Sequence, residues 1–408
     1  MTHPSLAGMV TALNARLSRV ALHDRFSSAA AAFLLKCLHF VLKQKIRGLG
    51  VIDTQLLRPF RRVLLVDSSS WDVREQLAKV LPGSGGAAST ANCKLQTVYD
   101  YKRSELDFLE VTAGTVPDNR YTAHLPGLLQ KDDFLLVDQG YFKLQTLFDI
   151  DAKGAFFLTR FLVRTMVQEA RTQTPLDLFT HLSRVEDPTS EMDVRLGEGL
   201  KAPQVRCRFI ALRVSEQIAN ERRRRLRKEA QKKGRTVSTP HLRMCAWTLL
   251  ITNVPSPWLP LDMVRVLYTV RWQIELLFKQ LKSILRVHHS DTGKENRLRC
   301  ELYGKLIGAV LIHRLHAAET HRLWKTTRRE VSMDKLYKRV QERAFTLFCL
   351  LLTSVLDAGA YLHDQLQRII PACLKERQRS RLTTLECLEA QYDPVLGSKA
   401  AGRKKHAI

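Results

Sequence analysis

Two short apolar runs, residues 63–66 and 134–137, each end on a carboxylate, Asp67 and Asp138. Runs of four aliphatic or aromatic residues with no polar alternation read as strands buried on both faces, the kind found in sheets covered by helices. A carboxylate at the carboxyl end of such a strand sits on the sheet rim, where open α/β sheets bind their ligands. These two positions therefore predict an α/β fold with acidic groups at a rim. Residues 93–99 and 106–111 alternate like paired strands, 82–86 is a Gly- and Pro-rich loop, and 155–159 reads as a further strand.

Between residues 160 and 260 the α/β rhythm is lost. Strand-like residues 205–214 and 246–254 flank a cationic stretch, and residues 201–243 carry 14 Lys or Arg against 3 Glu, a net of +11. A charge run is commonly a solvated face, but this one supplies almost half of the chain's formal net charge of +25. Nucleic-acid contact is therefore expected, with Arg222, Arg223, Arg224 and Arg225 as candidate phosphate ligands. A hydrophobic fraction of 45% excludes a disordered basic tail.

A membrane is the other polyanionic surface to consider. Residues 344–356, the longest mainly apolar uncharged run, are too short for the ~20 residues that span a bilayer and read as a buried helix. Residues 244–261 are interrupted by Asn253, Pro255, Pro257 and Pro260. The first twenty residues hold no compact apolar stretch, so no secretory signal is expected and the location is expected to be cytoplasmic, at the nucleoid. The eight cysteines form no C-x-x-C pair and read as reduced core thiols.

Residues 262–287 read as one long amphipathic helix, with Asp262 as N-cap after Pro260. At about 100° per residue, Tyr268, Arg271, Glu275, Lys279 and Lys282 fall within a sector of about 80°, while Met263, Val270, Ile274, Leu277 and Leu281 form the apolar face. An Arg271–Glu275 pair is also what an ordinary surface helix uses. What makes the ridge chemical is its combination with Asp67 and Asp138. Three carboxylates suit Mg2+ or Mn2+, and two such ions can serve an in-line displacement at phosphorus. Arg271, Lys279 and Lys282 would hold phosphate oxygens, with Tyr268 donating another hydrogen bond.

The spacing of Tyr268, Arg271, Glu275 and Lys282, together with VDQGY and LLVDSSS at the strand ends, resembles the Tyr-Arg-Glu-Lys signature of bacterial insertion-sequence-four-type transposases. Lys279 fits a lysine seen there. The resemblance covers roughly residues 60–315 and implies a ribonuclease H-like core with a β-rich insertion. It implies a metal-binding catalytic triad of Asp67, Asp138 and Glu275 in a cut-and-paste transposase, a homodimer on DNA, that cleaves double-stranded DNA at the element's terminal inverted repeats and joins the freed end to target DNA. Cleavage would run through a hairpin, and Trp247, in a strand 28 residues before Glu275, would stack on a flipped base. Ser69 and Gln139 depart from the Thr and Arg common at those positions. Asp72, Asp132 and Asp133 are rival carboxylates, ranked lower as solvated loop acids.

The expected organisation is a helical region at 1–58, a first core segment at 59–160, a β-rich basic insertion at 161–258, a second core segment at 259–320, and a helical region at 321–408 with a basic tail. The alternatives are an inactive relative acting as a DNA-binding regulator, and a structure-specific nuclease that shares the triad but joins no strands.

Overall fold

The structure, a computed structural model, describes residues 18–44, 52–86, 88–197, 204–376, 382–393 and 398–399. The expectations for the first 17 residues and for the basic tail lie outside the described residues. The main strands are β1 (Arg62–Asp72), β2 (Asn92–Asp100), β3 (Glu105–Ala113), β4 (Asp133–Val137), β5 (Phe156–Arg160), β6 (Val167–Glu169), β7 (Thr189–Leu196), β8 (Val205–Arg213) and β9 (Trp247–Thr252). Helices α1 (Ser28–Lys43), α2 (Leu144–Ala152), α3 (Glu216–Lys232), α4 (Val264–Thr269), α5 (Trp272–Ser283), α6 (Glu295–Thr327), α7 (Met333–Gln341), α8 (Ala344–Thr353) and α9 (Val355–Ile369) accompany them. The chain divides into two compact units: Met1–Asp53, Leu65–Pro117 and Trp272–Leu382 form one, and Thr54–Leu64, Asp118–Arg271 and Thr383–Ile408 form the other.

In the first unit the strand order is β3-β2-β1, with β2 and β3 antiparallel from Cys93 opposite Ala113 to Asp100 opposite Glu105. Helix α6 lies on β3 and on α1. Ser27 caps α1 by accepting from Ala30 N at 3.1 Å, and at the other end the Arg314 guanidinium from α6 donates to the carbonyls of Val41 and Gln44. These are terminal acceptors that a helix cannot satisfy internally. A separate core gathers Ile312, Val331, Met333, Leu336, Leu366, Ile369, Ile370 and Cys373 between α6, α7 and α9.

In the second unit the order is β4-β5-β9-β8-β7-β6. β4 and β5 are parallel, and the crossover between them contains α2. Gly154, at φ +67°, makes the turn from α2 into β5, a conformation that L side chains rarely adopt. From β5 onward every pairing is antiparallel, so the segment expected as a β-rich insertion continues the sheet through β9, β8, β7 and β6. A three-strand order with an antiparallel β2–β3 hairpin, followed by a parallel β-α-β pair, makes this an α/β fold with a ribonuclease H-like core, as the family resemblance implies.

Residues 344–356 correct the expectation of one buried helix. Ser354 interrupts them and caps α9 by accepting from Asp357 N at 3.2 Å. Phe345, Phe348, Leu351, Leu352, Val355 and Leu356 are exposed, Leu356 to 85%. Cys349 is exposed as well, against the expectation of core thiols, while Cys93, Cys207, Cys300, Cys373 and Cys387 are buried.

Candidate active site

In the first unit, β1 does not stop at Asp67 but runs five residues further, to Asp72. What ends at Asp67 is burial: residues 63–66 are buried, and Asp67 to Ser69 are partly exposed. The sequence signal therefore located the emergence of the strand from the core rather than its end. Ser68 N donates to Asp67 Oδ1 at 2.8 Å, which fixes the carboxylate. Glu275 lies in the first turn of α5, half-buried, on a helix whose Ile274, Leu277, Phe278 and Leu281 are buried. Lys282, at the far end of α5, donates from Nζ to the Ser70 carbonyl oxygen at 2.9 Å and lies 5.8 Å from the Trp71 ring centroid. The helix carrying Glu275 is thus tied to the strand carrying Asp67. Desolvation lowers the Lys282 pKa. Lys279 is exposed, and the rival Asp72 accepts from Asn92 Nδ2 at 2.8 Å.

In the second unit, Asp138 directly follows β4 and is partly exposed. Gln139 donates from Nε2 to the Phe161 carbonyl at 3.0 Å, so this residue, where Arg is common, secures the chain beyond β5. Val137 pairs with Thr159, which brings Arg160, the next residue of β5, beside Asp138. Tyr268 joins them. Its phenol is pushed up to about 12, first by burial and then by the Asp138 charge, with Arg271 and Arg160 acting the other way. The Tyr268 hydroxyl is buried without a hydrogen bond of standard geometry, and the Arg271 guanidinium carbon lies 5.9 Å from its ring centroid. Sequence reasoning missed Arg160. Its signal was available: a basic residue ending the strand that neighbours the acidic one.

The helix expected as continuous over 262–287 is not. Asp262 lies in a 3-10 turn, α4 ends at Thr269, and Val270 N and Arg271 N bond to the Leu267 and Tyr268 carbonyls, three residues back. Such tightened turns advance by about 120° per residue, so one continuous 100° wheel does not describe the Tyr268 to Glu275 relation. The apolar face was read correctly: Met263, Val270, Ile274, Leu277 and Leu281 are all buried. Asp133 corrects another expectation. It is fully buried, not solvated, and accepts from Arg61 Nη2 at 2.8 Å, Arg62 Nη2 at 2.6 Å and Gln130 N at 2.8 Å. Burial alone would raise its pKa, but these bonds hold it below the usual carboxylate range.

Trp247 begins β9 and is 7% exposed, with the Arg213 guanidinium carbon 4.5 Å from its ring centroid. Arg222 donates to the Trp247 carbonyl at 2.9 Å and to Thr248 Oγ1 at 3.0 Å, and Arg223 donates to the Leu242 carbonyl at 3.1 Å and to Glu216. Arg224 and Arg225 are exposed. The arginine run thus separates into two residues that tie α3 to its own unit and two that face solvent.

Asp67 and Glu275 in the first unit and Asp138 in the second are each partly exposed carboxylates, the type of oxygen ligand that suits a hard divalent cation with waters in its shell. Among the described residues no three His, Cys, Asp or Glu side chains are already gathered around a single metal position. Among the same residues no helix is long and apolar enough to cross a membrane.

Comparison with known proteins adds to this geometry. The sequence model of the family described as "Transposase DDE domain" matches residues 58–311. The transposase for insertion sequence element IS231E of Bacillus thuringiensis subsp. finitimus is 27% identical over 347 residues, covering 81% of this chain and 72% of that protein. The corresponding IS231F protein of Bacillus thuringiensis subsp. israelensis is 29% identical over 349 residues, with the same coverage. Among solved structures, the piggyBac transposase synaptic complex with hairpin DNA aligns at a TM-score of 0.42 and 11% identity, over 85% of this chain and 62% of that one.

Proposed function

Since the chain belongs to the transposase DDE domain family, a family of enzymes whose chemistry is divalent-metal-dependent, we propose that it binds the terminal inverted repeats of an insertion sequence, cuts DNA there and joins the freed end to target DNA. The observation that carries this reading is the family match over residues 58–311. The positions of Asp67, Asp138 and Glu275 support it: Asp67 lies on β1, Asp138 directly follows β4, Glu275 lies on α5, and each is partly open to solvent.

Asp67, Asp138 and Glu275 would hold two Mg2+ or Mn2+ ions. When bound, such ions activate an attacking oxygen and stabilise the leaving one in displacement at phosphorus. The chain's own groups have separate tasks. Tyr268, with a pKa near 12, stays protonated at neutral pH and donates to a phosphate oxygen rather than acting as a base. Arg271 and Arg160 place positive charge beside Tyr268, where it would offset the phosphodiester charge. Lys279 and Lys282 extend the phosphate grip along α5. After first-strand cleavage the freed 3′-hydroxyl attacks the opposite strand to give a hairpin. Trp247 would stack on the base unpaired by that tight turn once Arg213 moves off its ring.

Two copies would hold two element ends together. The exposed apolar residues of α8 and α9, Phe348, Leu352 and Leu356 among them, are the proposed dimer contact. Light scattering of the protein on an element end should give two chains per complex, and a single chain on one DNA would remove that assignment. For the reaction itself, purified protein with Mg2+ and a duplex carrying the element's end should give nicked, hairpin and plasmid-joined products on denaturing gels. Binding with no cleavage would replace the reading with a DNA-binding regulator. Cleavage with no joining would replace it with a nuclease.

A further inference from the structure

Helix α3 presents two unlike faces. At about 100° per residue, Ala219, Arg222, Arg223, Leu226 and Ala230 fall on one side. Ala219 is buried, and the other four are partly buried. Arg222 bonds to Trp247 and Thr248, and Arg223 bonds to Leu242 and to Asn220 Oδ1, the last at 2.8 Å. The opposite side, a sector of about 100°, holds Gln217, Asn220, Arg224, Arg227, Lys228 and Gln231, all exposed, with Glu221 at its border. Among the described residues, none of Arg224, Arg227 and Lys228 has a carboxylate within ion-pair distance. The three cations occupy the middle of this face, with amides before and after them, along a helix of 17 residues, about 25 Å long.

We propose that this face of α3 enters the major groove of duplex DNA at the element end, with Arg224, Arg227 and Lys228 on phosphates and Gln217 and Gln231 on base edges. The inference rests on the reading of the chain as an enzyme that binds element ends, and it assigns the element that recognises them. A cationic stripe alone would serve any polyanion. Asn and Gln amides are the groups that bond bidentately to adenine edges in a major groove wide enough for a helix. The inward anchoring of Arg222 and Arg223 removes them from the contact and fixes which face looks outward.

The test compares a duplex of the element end with a scrambled duplex of equal length, titrated against salt. The triple variant Arg224→Ala, Arg227→Ala, Lys228→Ala should weaken binding to both duplexes and flatten the log affinity against log salt slope by about 2 to 3, near 0.9 per lost phosphate contact. The Gln217→Ala, Gln231→Ala variant should keep the salt slope and lose about tenfold of the preference for the end over the scrambled duplex. Both variants should melt with the wild type, since the altered side chains are exposed. An unchanged slope and affinity in the folded triple variant would overturn the groove contact, and unchanged preference in the folded amide variant would overturn the base reading. Weakened binding by the triple variant, together with a wild type that never cleaves the end, would overturn the proposed enzyme function and leave the contact standing.

Discussion

Lys282 donates from Nζ to the carbonyl oxygen of Ser70 at 2.9 Å, three residues beyond Asp67 on β1 and seven beyond Glu275 on α5. One side chain therefore joins the elements that carry two of the proposed catalytic carboxylates. Lys282→Met should lower stability by only about 1 kcal/mol, the net worth of a partly exposed hydrogen bond. Its effect on first-strand nicking should be larger, tenfold or more, because small displacements of reacting groups are costly. Denaturant melts and single-turnover nicking of the same preparation check this. Equal wild-type rates would leave the tie without catalytic consequence.

Asp133 is set apart from the proposed triad by its partners. Asp133→Asn removes the charge that Arg61 and Arg62 share, leaving the 14%-exposed Arg62 side chain without its counter-charge, at a cost of about 3 kcal/mol. Because the folded pKa of Asp133 is depressed, its stabilisation is present above the ordinary carboxylate range and is lost as pH falls through the folded value. The variant should melt early, and whatever fraction remains folded should nick DNA normally. A stable variant that has lost nicking would place Asp133 in the chemistry instead.

Three imidazoles of α6 are neutral in the fold. Burial pushes His313 down to about 3, and His316 and His321 down to about 4, from 6.5. Both ring nitrogens of His321 are buried without hydrogen-bond partners. Between pH 6.5 and about 4 the unfolded chain binds protons that the folded chain does not, so stability should fall as pH falls across that window. His321→Leu should reduce the slope by up to about 1.4 kcal/mol per pH unit, the contribution of one proton. Melts at half-unit pH steps would show it, and an unchanged slope would mean that His321 is protonated in the fold.

Arg213 covers the Trp247 ring on which a base would stack. Trp247→Phe, which keeps an aromatic surface, should slow hairpin formation several-fold while sparing the first nick. Arg213→Ala should leave both steps intact or quicken the hairpin. Single-turnover assays with intact and pre-nicked ends separate the steps. Equal losses in both steps for Trp247→Phe would make the indole a packing residue.

The legible parts of this chain were those where chemistry is local in sequence. Residues 134–137 read as a buried strand ending before Asp138, and the apolar positions of α4 and α5 were marked by their spacing. Less was legible where long-range contacts decide. Asp133 is the first residue of β4, one position before the apolar run that marks the strand in sequence, yet its arginine partners lie more than 70 positions away. Arg222 and Arg223 look identical to Arg224 and Arg225 in sequence, and only the position of β9 and of Leu242 separates anchors from exposed cations. Residues 344–356 have the composition of a core helix, but composition alone does not say whether a partner element covers them.

Asp67, Asp138 and Glu275 are proposed to act together in cutting DNA. The direct measurement is first-strand nicking of an element-end duplex in Mg2+ by Asp67→Asn, Asp138→Asn and Glu275→Gln, with end binding measured on the same preparations. Each variant should bind the end with near wild-type affinity, because the cationic surface is unchanged, and nick at less than a thousandth of the wild-type rate, roughly the scale of losing a preorganised electrostatic group. Wild-type nicking by any one of the three, in protein that is folded and binds the end, would contradict the account.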